Sequence, residues 1–119
     1  MHEMSIAQGI VSIVRRRLSA EECTRVKSVR IRVGEIAGVE PASLQFCFDV
    51  IKQDESLTSA DLRIERTPLV VECEAGHRSA CPNPWDMSCV ICGNGRTKII
   101  SGSELEVVDV EIGERMECV

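Results

Sequence analysis

Aromatic side chains are nearly absent from this sequence, which has no tyrosine, one tryptophan and two phenylalanines among its 119 residues. A core without large rings must be assembled from Val, Ile, Leu and Ala, and a second source of stability would help it. Excess basic charge is missing as well. The net charge is -5, so no basic face is offered to phosphates and a nucleic-acid-binding domain is not expected. No apolar run approaches the ~20 residues of a membrane-spanning helix, and no membrane role is expected. The amino terminus lacks the apolar stretch of a secretory signal, which points to the cytoplasm. Seven cysteines, an odd number, are not expected to form a disulfide framework there; thiols in a cytosolic chain point to metal or redox chemistry.

What is present reads as one domain of usual size with room for a small metal-held lobe. Ser5-Ile6-Ala7-Gln8 matches a capping box and predicts a helix from about Ser5 to Leu18. Ile6, Ile10, Ile13, Val14 and Leu18 would form its inward stripe, and Arg15, Arg16 and Arg17 would close its last turn, where the helix dipole favours cations. Val29, Ile31 and Val33 alternate with Ser28, Arg30 and Arg32, the period of a half-buried strand. Gly34 to Gly38 reads as a flexible connection. Pro41 suits the first position of a second helix, with Leu44, Cys47, Phe48 and Ile51 as its apolar stripe. A strand is expected at Leu62 to Ile64, extending through Val70 and Val71 past Pro68, and another over Leu105, Val107, Val108, Val110 and Ile112. The expected fold is α+β: a small mixed three-stranded sheet from residues 28–34, 61–71 and 104–112, with two helices on one face. Residues 1–71 with 98–119 would form that body, and residues 72–97 a projecting lobe.

The lobe has little apolar periodicity and is punctuated by Gly76, Pro82, Pro84 and Gly93. Such a segment buries little and needs a staple. Cys89-Val-Ile-Cys92-Gly93 is a zinc-knuckle half-site, because two thiolates three positions apart can bind one Zn(II) at about 2.3 Å each and the glycine permits the tight turn. The other half begins at Cys73, but Gly76 stands where its second cysteine would be. His77, one residue late and longer in reach, and Cys81, softer but closing a wider loop, are alternative fourth donors. A redox dithiol would need Cys89 at a helix start to lower its thiol pKa, and Asn94-Gly95-Arg96 does not look like one. A closed four-donor zinc site is structural rather than catalytic.

Met1-His2-Glu3 carries a second metal signal. A terminal amine, the backbone nitrogen of residue 2 and its imidazole can close fused chelate rings on one ion, with Glu3 adding a nitrogen or a carboxylate. Planar nitrogen and oxygen donors suit Ni(II) or Cu(II) rather than zinc or magnesium. Backbone N–H groups at a helix start have no intrahelical acceptor, so they can yield a proton to a metal.

Together these residues resemble one family, the hydrogenase and urease nickel-insertion metallochaperones of the HypA/HybF type. The resemblance rests on Met1-His-Glu-Met-Ser5, on Val33-Gly34-Glu35 running into Val39 to Asp49, on the cysteine cluster, and on Gly102 to Ile112. It implies Ni(II) as transient cargo on His2, Met1 and Glu3, and structural Zn(II) on Cys73, Cys89 and Cys92 with His77 or Cys81. It also implies delivery of nickel to a GTPase partner of the HypB type and to the hydrogenase large subunit, with urease as a second client, by a monomer or weak homodimer. The family carries two CxxC pairs, and Cys73-Glu-Ala-Gly76-His77 reads like the first with its second cysteine replaced or deleted. No set of nucleophile, base and oxyanion donors is visible, and no enzyme is expected. The rival readings are a zinc-ribbon interaction module with an inert terminus and a thiol oxidoreductase working through Cys89. Cys23, Cys47 and Cys118 have no assigned partner.

Overall fold

The computed structural model describes residues 2–53 and 56–114. Its elements are α1 (Glu3–Arg17), α2 (Ala20–Thr24), β1 (Val26–Gly34), α3 (Pro41–Ile51), β2 (Asp61–Thr67), β3 (Val70–Cys73), β4 (Arg78–Ala80), β5 (Thr97–Ser101) and β6 (Leu105–Ile112). The fold is α+β, with two three-stranded sheets ordered β2-β1-β6 and β4-β3-β5. Along β1 and β6 the pairs Ser28–Glu111, Arg30–Asp109 and Arg32–Glu106 run in opposite directions. Arg32–Glu65 and Glu35–Thr67 instead ascend together along β1 and β2. The first sheet is therefore mixed, as expected.

The chain divides into two compact units. One comprises the chain up to Ile31, Val39–Ile64 and the chain from Val107. Here α1 packs on α3. The buried face of α1 is Ala7, Ile10, Val11 and Val14, rotated from the expected stripe: Ile13 is exposed, and Ile6 and Leu18 are half-buried. The small Ala7 lets the helix approach closely, so the i, i+3, i+4, i+7 face centres on it rather than on the bulkier isoleucines. The capping box is also elsewhere. His2, not Ser5, is the N-cap of α1, and the box forms at Ser19, whose hydroxyl accepts the Glu22 N–H while the Glu22 carboxylate accepts the Ser19 N–H. That box starts α2, a helix of five residues for which the apolar pattern is too short to give a signal. Pro41 opens α3 as expected, with Leu44 and Phe48 buried and Cys47 only half-buried. Phe48 is the one aromatic among the buried residues; Trp85 is 94% exposed.

The other unit comprises Arg32–Gly38 and Glu65–Glu106. Its core is Leu69, Val71 and Cys81, with Ile36 and Met87 packed against them. Residues 61–71 are not one strand. Pro68 cannot donate to a ladder, and the chain leaves β2 there to enter β3, which pairs antiparallel with β4 and β5 in the second sheet. Nor is Gly34 to Gly38 a flexible connection. The Gly34, Glu35 and Ile36 amides donate to the carbonyls of Glu104, Thr67 and Gly102, at 2.8, 3.0 and 2.8 Å, and the Glu35 carboxylate accepts the Leu69 N–H at 3.0 Å. A fixed segment satisfies these polar groups where a loose one would leave them to water.

Candidate metal centre and amino terminus

Cys73 ends β3, His77 immediately precedes β4, and Cys89 and Cys92 lie on the loop that leads into β5. One ligand atom from each lies within 4.8 Å of every other. The Cys73 and Cys92 sulfurs are 3.8 Å apart, and His77 Nδ1 is 3.5 Å from Cys73 Sγ and 3.9 Å from Cys89 Sγ. Tetrahedral zinc with bonds of about 2.3 Å to sulfur and about 2.0 Å to nitrogen requires sulfur–sulfur edges of about 3.8 Å and sulfur–nitrogen edges of about 3.5 Å. The donor types suit that ion, and the separations of 3.5, 3.8 and 3.9 Å lie close to those edges.

Two turns build it. In the second, the Cys89 N–H donates to the Asn94 carbonyl at 3.0 Å and the Gly93 N–H to the Cys89 carbonyl at 2.8 Å, with Gly93 at φ 76. In the first, the Cys73 N–H donates to the His77 carbonyl at 3.0 Å and the Gly76 N–H to the Cys73 carbonyl at 2.9 Å, with Gly76 at φ 87. The two hydrogen-bond patterns correspond if Gly76 matches Gly93 and His77 matches Asn94. The first turn is then one residue shorter, with Glu74 and Ala75 where the second has Val90, Ile91 and Cys92, and it holds no second cysteine. His77 follows the glycine and reaches back with its imidazole to offer the missing donor.

The electrostatics suit a cation. The Cys92 and Ile91 N–H groups, working against burial, pull the Cys89 thiol down to about 6, so it is ready as a thiolate. At Cys92 the Asn94 N–H acts in the same lowering sense, but desolvation and the neighbouring Cys89 and Cys73 sulfurs outweigh it and push that thiol up. Sulfurs this close do not ionise together unless a positive ion joins them. Cys81 stays outside the group. It is buried beside Leu69 and Val71, its Sγ faces the Asp86 carbonyl at 3.9 Å, and burial raises its pKa. Cys23 is buried and Cys47 half-buried; Met1 and Cys118 lie outside the described residues. The chain after Cys92 enters β5 rather than a helix, so Cys89 has no helix dipole to activate it.

At the other candidate site His2 is exposed, with extended backbone at φ -90, ψ 115 and no side-chain cap bond. Its carbonyl accepts the Ser5 and Ile6 amides, while its own N–H precedes the helix ladder. The Glu3 carboxylate accepts the Glu40 N–H at 3.4 Å, and the Glu40 carboxylate in turn caps α3 through the Ala42 N–H at 3.0 Å. Two helix starts therefore meet at a pair of carboxylates. Sequence reasoning missed Glu40, although its place before Pro41 marks it as a cap position. Among the described residues no helix is long and apolar enough to cross a membrane.

The family model for hydrogenase/urease nickel incorporation, metallochaperone, HypA, matches residues 1–112. A hydrogenase maturation factor HypA of Desulfosudis oleivorans is 43% identical over 116 residues, covering 96% of this chain and 100% of that protein. One of Desulfatibacillum aliphaticivorans is 36% identical, covering 98% and 91%. The solution structure of the Ni metallochaperone HypA from Helicobacter pylori shares the fold, with a TM-score of 0.65 at 19% identity over 97% of this chain and 100% of that one. The chain accordingly belongs to the HypA family of hydrogenase/urease nickel-incorporation metallochaperones, whose curated relatives are hydrogenase maturation factors.

Proposed function

We propose that this chain takes up Ni(II) at its amino terminus and releases it during maturation of nickel-iron hydrogenase, with urease as a second client. The observation that carries the reading is the exposed, uncapped imidazole of His2 at the start of a helix, inside a family match that begins at residue 1. The Met1 amine, the His2 nitrogens and Glu3 are the donors. A terminal chelate of this kind is selective yet releasable, because protons compete for every nitrogen in it. Cys73, His77, Cys89 and Cys92 hold zinc, which when bound supplies a rigid cross-link and no open coordination position. The zinc-binding residues belong to the unit of Arg32–Gly38 and Glu65–Glu106, a larger body than the 72–97 lobe expected from the sequence, and His2 and Glu3 belong to the other unit. The partners are a GTPase of the HypB type and the hydrogenase large subunit, met in the cytoplasm by a monomer or weak homodimer.

Nickel titration of the untagged protein tests this. Binding falls at least tenfold in His2→Ala and in a form extended by one residue before Met1, and it weakens on acidification. Unchanged affinity and stoichiometry in both variants would refute the terminal site. Uptake of zinc alone under nickel challenge would favour an interaction module.

A further inference from the structure

The four donors of the metal cradle are not equally protected. Cys73 and Cys89 are buried, His77 is half-buried, and Cys92 is exposed. The Cys92 sulfur lies 3.8 Å from that of Cys73 and also neighbours Cys89, but the buried Cys89 sulfur is held by the Ile91 N–H at 3.4 Å. A disulfide needs its sulfurs at about 2.05 Å. Cys92 lies on a loop and faces solvent, whereas Cys73 is tied into the sheet by its pairing with Thr97, so the approach falls to Cys92.

We propose that Cys92 is a peroxide-sensitive thiol whose oxidation joins it to Cys73 and opens the cradle, an inference that rests on the zinc reading above. Cys92, the solvent-exposed sulfur and a thiolate only when the cradle is loaded and its thiol protons are displaced, attacks one oxygen of hydrogen peroxide: a sulfur–oxygen bond forms, the oxygen–oxygen bond breaks, and the departing hydroxide takes a proton to become water. Cys92 is then a sulfenic acid, oxidised by two electrons. The Cys73 thiolate attacks that sulfur, forming the disulfide and expelling the oxygen as hydroxide, which becomes the second water on protonation. Two thiolates, one peroxide and two protons yield one disulfide and two waters. Cys89 and His77 then remain as the only protein donors, and two donors do not retain the ion against competing chelators.

Peptide mapping distinguishes this bond from the alternative. Trypsin cuts after Arg66, Arg78 and Arg96, so Cys73 lies in peptide 67–78 and Cys89 and Cys92 in peptide 79–96. The reduced, zinc-loaded protein is treated with one equivalent of hydrogen peroxide in the presence of a chromogenic chelator, quenched with a thiol-blocking reagent and digested. The expected result is release of the zinc together with a cross-linked 67–78/79–96 pair whose fragments locate Cys73–Cys92. The pair persists in Cys81→Ser and disappears in Cys92→Ser. A loop disulfide within peptide 79–96, or full blocking of Cys92 while zinc is lost, overturns the proposal. Metal analysis of the untreated sample separates this from failure of the zinc reading: a chain that binds no zinc refutes the latter, whatever the cross-link.

Discussion

A Cβ placed on Gly34 would lie 2.0 Å from the carbonyl carbon and oxygen of Gly102. The two backbones touch where Gly34 and Ile36 bond Glu104 and Gly102. Gly102 has its own constraint, with φ 114 and a Cβ that would fall 2.6 Å from the Leu69 Cα. The obstruction is backbone in both cases, so no side chain can swing away to relieve it. Gly34→Ala should destabilise by about 3 kcal/mol, lowering Tm by roughly 10 °C or more in thermal unfolding. A Tm within a degree or two of wild type would mean the strands are not this close.

Gly9 offers the opposite case. It lies within α1 and a Cβ there meets nothing within 4 Å. Gly9→Ala should raise stability by about 0.5–1 kcal/mol, since alanine has less backbone freedom to lose on entering a helix. Denaturant unfolding with an unchanged m value would read this directly.

His77 and Cys81 should separate cleanly. His77→Ala removes one of four donors and is expected to weaken zinc at least tenfold in chelator competition, whereas Cys81→Ser should leave zinc content at wild-type level. Cys81→Ser still disturbs the Leu69–Val71 cluster, by about 1–2 kcal/mol for a hydroxyl placed in apolar surroundings. His77→Cys should restore little, because the shorter side chain starts one residue too late. Inserting a cysteine between Ala75 and Gly76 should restore the site, which cobalt substitution would show as added thiolate charge-transfer intensity.

Acid should loosen the Gly102 turn. The Glu104 carboxylate accepts its own N–H and that of Gly102, together with the Thr67 hydroxyl, and these bonds hold it below its ordinary value of 4.5. The folded pKa is depressed, so the contribution is complete above 4.5 and is lost as the pH falls through that value toward the folded pKa. Glu104→Gln should therefore be less stable than wild type near about pH 6, and the gap should narrow by about pH 3. A gap independent of pH would assign the effect to shape rather than charge.

These features were unequally legible in the sequence. Pro41 and the alternation around Val29, Ile31 and Val33 announced α3 and β1, because a fixed φ and a period of two are local properties. Ser5-x-x-Gln8 and Ser19-x-x-Glu22 carry similar capping signals, and only tertiary packing decides which is used, so the local pattern does not fix the start of α1. Ala7 did not register as core because a methyl group carries little hydrophobic signal. The break at Pro68 was visible, but the change of sheet there depends on partners far along the chain. Cysteine and histidine spacing marked the cradle. That His77 rather than Cys81 groups with the three thiols depends on how the two turns fold, which spacing along the chain does not reveal.

That shortened turn also changes the sign balance around the loaded cradle. Four thiolates about a divalent ion carry two negative charges, whereas three thiolates and a neutral imidazole carry one. A cradle loaded in this way would therefore present one negative charge fewer to anything approaching from solvent than a four-thiolate site.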